Sequence, residues 1–484
     1  MARISNLQKV RALYKPKLPA VFADNGPAVV VAAGAATQSV ADQAAIRDRF
    51  PNTYGLPAVT FQPAQPGPCQ PLKVGVILSG GQAPGGHNVI AGLFDALKAM
   101  APASELYGFL GGPSGLINQE YVILTNETID AFRNTGGFDI IGSGRTKLET
   151  ETQFDQVAAN CRELGIGNLV VVGGDDSNTN ACMLAEYFCR SQVPINVVGC
   201  PKTIDGDLKN DQIETSFGFD TATKVYGELI GNIQRDANSA KKYWHFIKLM
   251  GRSASHIALE CALKTQPNVT IISEEVAARS QTLKEIVKQL ATVVRDRANK
   301  KMDFGVVLIP EGLVEFIPEI KALIAELNDL LADDAYFQAL PSTDDKFQFV
   351  NSRLSPAASQ AFSSLPGDIQ RQLLQDRDPH GNVQVSRIET DKLLIDLVGD
   401  LLREWKDAGT YTGTFMSQNH FFGYEGRCAA PSNFDADYCY SLGYTAACLL
   451  AAGKTGYMSS VRGLVKPAAE WQAGGIPLTM MMNI

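Results

Sequence analysis

The chain has 484 residues, 45% of them hydrophobic and 19% charged, which is ordinary globular composition with room for two domains or one large bilobal one. A formal net charge of −8 argues against a nucleic-acid binder, which carries a basic excess, but single basic residues can still set the field of an anion-binding cleft. No apolar run reaches membrane-spanning length, PAVVVAAGAA at 27–36 being too short, and nine scattered cysteines with no CxxC pair or His–Cys cluster indicate reduced thiols and a cytoplasmic protein.

Residues 1–72 read as an extension. It opens with the basic, acid-free MARISNLQKVRALYKPKLPA, read as an N-terminal arm rather than a transit peptide, and closes in the Pro/Gly-rich linker FQPAQPGPCQP. KVGVIL (73–78) then reads as a strand, SGGQAPGG as a glycine loop and the following residues as a helix. FDII (138–141) is a second expected strand, followed by GSGR. The helix ETQFDQVAANCRELG leads to the strand NLVVVG, the loop GGDDSNTN and another helix. INVVGC is a further buried strand, running into PKTIDGDLKN (201–210). A second such unit pairs the amphipathic helix TLKEIVKQLATVVRDRANK with the strand and loop FGVVLIPEGL. Residues 313–411 change character: FIPEIKALIAELNDLLADDA and ETDKLLIDLVGDLLREWKDAG are amphipathic helices around a Ser/Pro/Asp-rich stretch, so this part reads as a helical insertion. Strands alternating with helices predict an α/β fold with parallel-rich sheets and right-handed crossovers.

The loops after these strands carry the chemistry. Glycines in SGGQAPGG allow backbone N–H groups to approach phosphate at a helix N-terminus, although a tight structural turn explains them about as well. Arg145 of GSGR is by itself an ordinary surface arginine. Asp175 and Asp176 are adjacent like charges whose burial calls for a cation, unless Asp176 or Ser177 simply caps the helix. Asp205 and Asp207 suit a general base and a second carboxylate, with Lys202 as a phosphate clamp, against the alternative of an Asp-Gly turn that only redirects the chain. Taken together, these loops supply what phosphoryl transfer needs: cradled phosphates, a metal, a cation for developing charge and a base for the hydroxyl. Arg252 of KLMGRSASHIALE and Tyr424 and Arg427 of FFGYEGRCAAPSNFD add anion-binding candidates, each also explicable as a structural residue. Glu311 of IPEGL stands where a carboxylate can meet sugar hydroxyls.

SGGQAPGGHN, GGDDSNTNA, PKTIDGDL, MGR, PEGL and GYEGR occur in that order, and the set resembles the phosphofructokinase superfamily, most closely its long, pyrophosphate-dependent branch. The resemblance runs from about Ser5 to the end. It implies two Rossmann-like lobes: a pyrophosphate lobe of 73–220 plus 426–475, and a fructose 6-phosphate lobe of 221–425 that includes the insertion. It implies reversible, Mg2+-dependent transfer from pyrophosphate to the C1 hydroxyl of fructose 6-phosphate. By the same resemblance Asp205 is the base, Asp207 its supporting carboxylate, Asp175 the acid associated with Mg2+, and Gly81, Arg145, Asp176 and Lys202 the donor side. Thr203, Met250, Gly251, Arg252, Glu311, Tyr424 and Arg427 fall on the sugar-phosphate side, and Lys242 is a residue for a neighbouring subunit.

ATP-using relatives generally carry glycine at the positions of Asp176 and Lys202. A carboxylate at 176 adds bulk and negative charge where a nucleotide α-phosphate would sit, and Lys202 holds a diphosphate that has no adenosine anchor. The alternatives are an ATP-dependent 6-phosphofructokinase and a non-catalytic regulatory subunit, the intact TIDGD speaking against the latter. A homo-oligomer, or a hetero-oligomer with a related regulatory subunit, is the expected assembly. Family members usually continue several dozen residues past GGIPLTMMMNI (474–484) with a basic segment, so the chain is either a short member or a fragment.

Overall fold

The structure is a computed structural model that describes residues 5–331, 337, 340, 342–375 and 383–482. The chain forms two compact units, one of Met1–Ala222 with Tyr424–Ile484 and one of Thr223–Gly423.

The first unit is built on a nine-stranded sheet in the order β1-β2-β13-β12-β7-β6-β3-β4-β5. Its centre is parallel: β4 (Glu105–Phe109), β3 (Lys73–Leu78), β6 (Asn168–Gly173), β7 (Asn196–Pro201) and β12 (Tyr457–Arg462). β6 is buried at every residue, as a run of valines covered on both faces should be. β5 (Tyr121–Leu124) closes one edge antiparallel to β4. On the other side β13 (Gln472–Pro477), β2 (Pro57–Pro63) and β1 (Val29–Ala36) continue the sheet by antiparallel pairing. Part of the segment read as an extension therefore supplies two strands of this sheet.

The expected strand at FDII is a turn. Gly142 N–H donates to Phe138 O at 2.7 Å, and Phe138 and Ile141 are buried as anchors of the turn. Four apolar residues carry too little pattern to separate the two structures. The strand that follows β3 in the chain is β4, which flanks it on the side away from β6.

Helices Gly86–Met100 and Asn433–Ala451 cross at near backbone contact. A Cβ on Gly92 would overlap the carbonyl of Tyr440, and one on Gly443 the carbonyl of Val89. Neither carbonyl can retreat without moving its helix. Gly443→Ala is therefore expected to destabilise the first unit by about 1–3 kcal/mol or more, measured by denaturant unfolding, whereas Gly453→Ala, with open space around it but φ +66°, tests backbone strain alone.

The second unit has a four-stranded parallel sheet in the order β11-β8-β10-β9, with β8 at Tyr243–Leu249, β9 at Val269–Thr270, β10 at Phe304–Pro310 and β11 at Ser417–Phe422. Trp244 and Phe246 pack into a core with helices Leu283–Ala298, Pro318–Leu331 and Thr390–Asp407. Ile320, Leu323, Ile324, Leu327 and Leu331 recur at helical spacing and are all buried. Helices Thr343–Asn351, Pro356–Ser363 and Gly367–Gln375 complete the helical segment, while the expected helix end at 332–335 lies outside the described residues. Among the described residues no helix is long and apolar enough to cross a membrane.

Candidate active site

β3, β6 and β7 lie side by side and parallel, so the loops after them open on one edge of the sheet. The chain leaves β3 for β4 on one side and returns to β6 on the other. Open α/β sheets take ligands at such a reversal.

Past β3, Ser79 N–H donates to Val172 O at 2.8 Å and Gly80 N–H to Gly144 O at 2.9 Å. Gly80 has φ +82°, a conformation that favours glycine, and a Cβ on it would stand 3.2 Å from Lys202 Nζ. On Gly81 a Cβ would stand 3.0 Å from Arg427 Nη1 and 3.7 Å from Arg145 Nη2. Two consecutive glycines thus bring the backbone close to three basic side chains, Lys202, Arg427 and Arg145.

Past β6, Gly174 is the N-cap of helix Asp175–Arg190, and no side chain caps it. Asp176 is in the first turn, and Ser177 Oγ donates to Ser79 Oγ at 2.8 Å, tying the two loops together. The capping alternative for Asp176 or Ser177 is thereby set aside. Desolvation, then the neighbouring Asp176 and Asp207, raises the Asp175 carboxyl above its ordinary pKa. Among the described residues no three His, Cys, Asp or Glu side chains form a metal cluster by themselves. Mg2+ binds through one or two carboxylates together with substrate phosphates and water, and mutually repelling carboxylates at the mouth of a phosphate cradle fit that donor set.

Past β7, Lys202 N–H donates to Gly173 O at 2.9 Å and the side chain is only 4% exposed. Burial, then Arg427, pushes its pKa down to about 7, with Arg145 adding to the effect and Asp205 and Asp207 opposing it. The folded protein disfavours the charged amine, so without an anion stability rises as pH climbs from about 7 toward 10.5. A polyanion beside the amine would favour its charged form. Calorimetry near pH 8 in buffers of different ionisation enthalpy is expected to show net proton uptake on binding imidodiphosphate, and Lys202→Met should abolish it.

Asp205 N–H donates to Thr203 Oγ1 at 3.1 Å, Ser216 Oγ to Thr203 O at 2.8 Å, and Gly206 follows at φ +72°. The Asp-Gly turn is therefore real, and it also sets Asp205 beside Arg427, Oδ1 to Nη2 at 3.8 Å. Arg427 comes from the short helix Tyr424–Arg427 and donates from Nη1 to Gln82 O at 3.1 Å. Gly81, Arg145, Asp175, Asp176, Lys202, Thr203, Asp205, Asp207 and Arg427 are all on this unit, as is Tyr424, which is exposed. Gly80, Ser79 and Gln82 belong to the same loops; SGGQAPGG was expected to approach phosphate, but of its residues only Gly81 was given a role of its own. The doubled glycine after a buried strand was the signal available for Gly80.

The second unit gathers another group at the ends of β8, β10 and β11. Met250 N–H donates to Phe422 O at 3.3 Å, and Gly251 has φ +117°. Glu311 is buried, its N–H donating to Leu249 O at 2.9 Å. The Gly312 backbone is packed against the Arg252 carbonyl, where a Cβ would overlap it. The Arg252 side chain is exposed and pairs with Glu315 at 3.4 Å. Lys242 precedes β8, at the opposite end of that strand from Met250.

The fold and these loops define a phosphotransferase of the phosphofructokinase type. The chain belongs to the phosphofructokinase family, whose model matches residues 73–341. It is 58% identical, over 99% of its length and 87% of the relative's, to the pyrophosphate–fructose 6-phosphate 1-phosphotransferase of Porphyromonas gingivalis. It is 51% identical, over 99% and 83% of the two chains, to subunit beta 1 of the same enzyme from Arabidopsis thaliana. The solved pyrophosphate-dependent phosphofructokinase of Nitrosospira multiformis shares the fold, at a TM-score of 0.59 and 18% identity over 85% of this chain and 84% of that one.

Proposed function

We propose that the chain catalyses reversible phosphoryl transfer from pyrophosphate to the C1 hydroxyl of fructose 6-phosphate. The observation that carries the reading is the convergence of Lys202, Arg145 and Arg427 on Gly80–Gly81, beside the carboxylate of Asp205. The C1 oxygen attacks the terminal phosphorus, the bridging P–O bond breaks, inorganic phosphate leaves and the hydroxyl proton passes to Asp205. Asp207 supports that carboxylate. Lys202 and Arg145 neutralise the charge on the transferred group and on the departing phosphate, and they do so equally in the reverse direction. Asp175, flanked by Asp176 and Asp207, would hold Mg2+, whose chemistry is to neutralise phosphate oxygens. Asp176 disfavours a nucleotide donor by its charge.

On the acceptor side we assign Thr203, Met250, Gly251, Arg252, Glu311, Tyr424 and Arg427 to fructose 6-phosphate, and Lys242 to the site of a neighbouring subunit. The relative from Arabidopsis thaliana is named as a subunit, which supports an oligomer, and nine unpaired thiols support a cytoplasmic setting. The reverse reaction tests this function. Fructose 1,6-bisphosphate, inorganic phosphate and Mg2+ are expected to give pyrophosphate, followed by 31P NMR, and the reading fails if no pyrophosphate forms.

A further inference from the structure

The turn that carries Asp205 is backed by residues 216–218. Phe217 forms a parallel bridge with Lys202, and Ser216 Oγ donates to Thr203 O at 2.8 Å. Gly218, at φ +94°, is wedged against Ile204 and the glycine loop: a Cβ on it would stand 3.2 Å from Ile204 Cγ2 and 2.9 Å from both Ala83 Cβ and Pro84 Cδ. Helix Asn433–Ala451 holds this backing segment from behind. Asp435, fully buried, accepts from Gly218 N–H at 3.0 Å, from Thr221 N–H at 2.8 Å and from the Thr221 hydroxyl. Tyr438, also fully buried, donates its hydroxyl to Thr215 O at 2.7 Å. Residues three apart share one face of a helix, so one element grips residues 215–221 at both ends.

From this geometry we infer that Asp435 and Tyr438 are positioning residues for the phosphoryl transfer, holding the carboxylate of Asp205 in place through residues 215–218. Burial raises the Asp435 carboxyl to about 6 against the pull of its donors, so near pH 8 it is ionised and accepts from all three. An amide in its place has one acceptor oxygen and must turn its NH2 toward at least one donor. That donor is on Gly218 or on Thr221, and both belong to the gripped segment. Lys202 is secured separately, by its own N–H on Gly173 O at the end of β7. A shift of the backing segment therefore reaches the base before the buried cation, and small displacements of a reacting group cost rate steeply.

The inference rests on the proposed function, and the experiment keeps the two apart. Asp435→Asn and Tyr438→Phe are made in the full chain, singly and in an Asp205→Asn background. Imidodiphosphate, a pyrophosphate analogue with a bridge resistant to cleavage, is titrated calorimetrically with Mg2+ at pH 8. The stoichiometry gives the fraction of competent sites, and kcat is referred to that fraction. Each single variant is expected to bind imidodiphosphate within about twofold of wild type. The kcat is expected to fall about tenfold or more in Asp435→Asn and about threefold or more in Tyr438→Phe, with both KM values within about twofold. In the Asp205→Asn background either change should slow turnover by less than about twofold, because the group being positioned is already gone. Tyr438→Phe, which removes a single hydroxyl, decides the matter where Asp435→Asn does not fold. A kcat within about twofold of wild type in the variants that fold would overturn the inference. So would a loss as large in the Asp205→Asn background as in wild type, the mark of a merely structural role. Near-normal turnover of Asp205→Asn alone would instead remove the base on which the inference rests, and failure of the wild-type chain to turn over pyrophosphate would remove the function.

Discussion

Asp205→Ala lowers kcat by about 10²–10⁴-fold, the range typical of a lost general base, and leaves imidodiphosphate binding within a few-fold of wild type. The structure explains why the effect is separable from folding. The turn at 203–206 is held by the backbone N–H of Asp205 on Thr203 Oγ1 and by Ser216 Oγ on Thr203 O, neither of which uses the carboxylate. Arg427 loses a neighbouring charge but keeps Gln82 O. Asp205→Asn preserves shape and removes basicity, so it should be nearly as slow as alanine. Steady-state kinetics with both substrates saturating decides it: near-normal turnover in either variant would remove Asp205 from the proton transfer.

The second large effect concerns the donor. Replacing Asp176 and Lys202 by glycine together is expected to cut the efficiency with pyrophosphate by about 10- to 100-fold, the loss expected for a charge-assisted contact, and to admit ATP. Lys202 is buried against Gly80 at the floor of the cradle, so its removal takes away the cation that meets the diphosphate. Asp176 is exposed in the first turn of its helix, where its removal subtracts one negative charge from the path of a longer donor. Glycine at 202 also loosens a backbone that pairs with Phe217, so Lys202→Met serves as the control for packing. Full pyrophosphate efficiency in the double variant would show that these residues do not choose the donor.

Much of this was legible in the sequence because the strands that carry the site are buried on both faces. LVVV of β6 and the apolar runs of β3, β7 and β10 announce themselves without periodicity, and polar glycine-rich segments follow them directly. The helical segment after Leu313 was legible for the opposite reason, a strong 3.6-residue pattern. FDII was misread because a four-residue apolar run is buried equally well as a strand or as a turn. β1 was not foreseen as part of the sheet, since its second part, AAGAA, is poor in the residues strands favour and its neighbour β2 owes its place to β13, about 400 residues later in the chain. The same distance hid the partners of Arg427. The sequence offers GYEGR as a motif, while the contacts of Arg427 with Gln82 and Asp205 join segments more than 200 residues apart in the chain. Local pattern reports which residues bear chemistry; long-range packing decides which of them meet.

In this reading the cradle at Gly80–Gly81 takes a diphosphate, and Asp205 directs its phosphoryl group to a sugar hydroxyl. A coupled assay for fructose 1,6-bisphosphate, run on the purified chain with pyrophosphate and with ATP, each with and without Mg2+, tests it most directly. Turnover is expected with pyrophosphate and Mg2+ and not with ATP. Turnover with ATP alone would contradict the roles given to Asp176 and Lys202, and absence of turnover with either donor would contradict the roles given to the cradle and to Asp205.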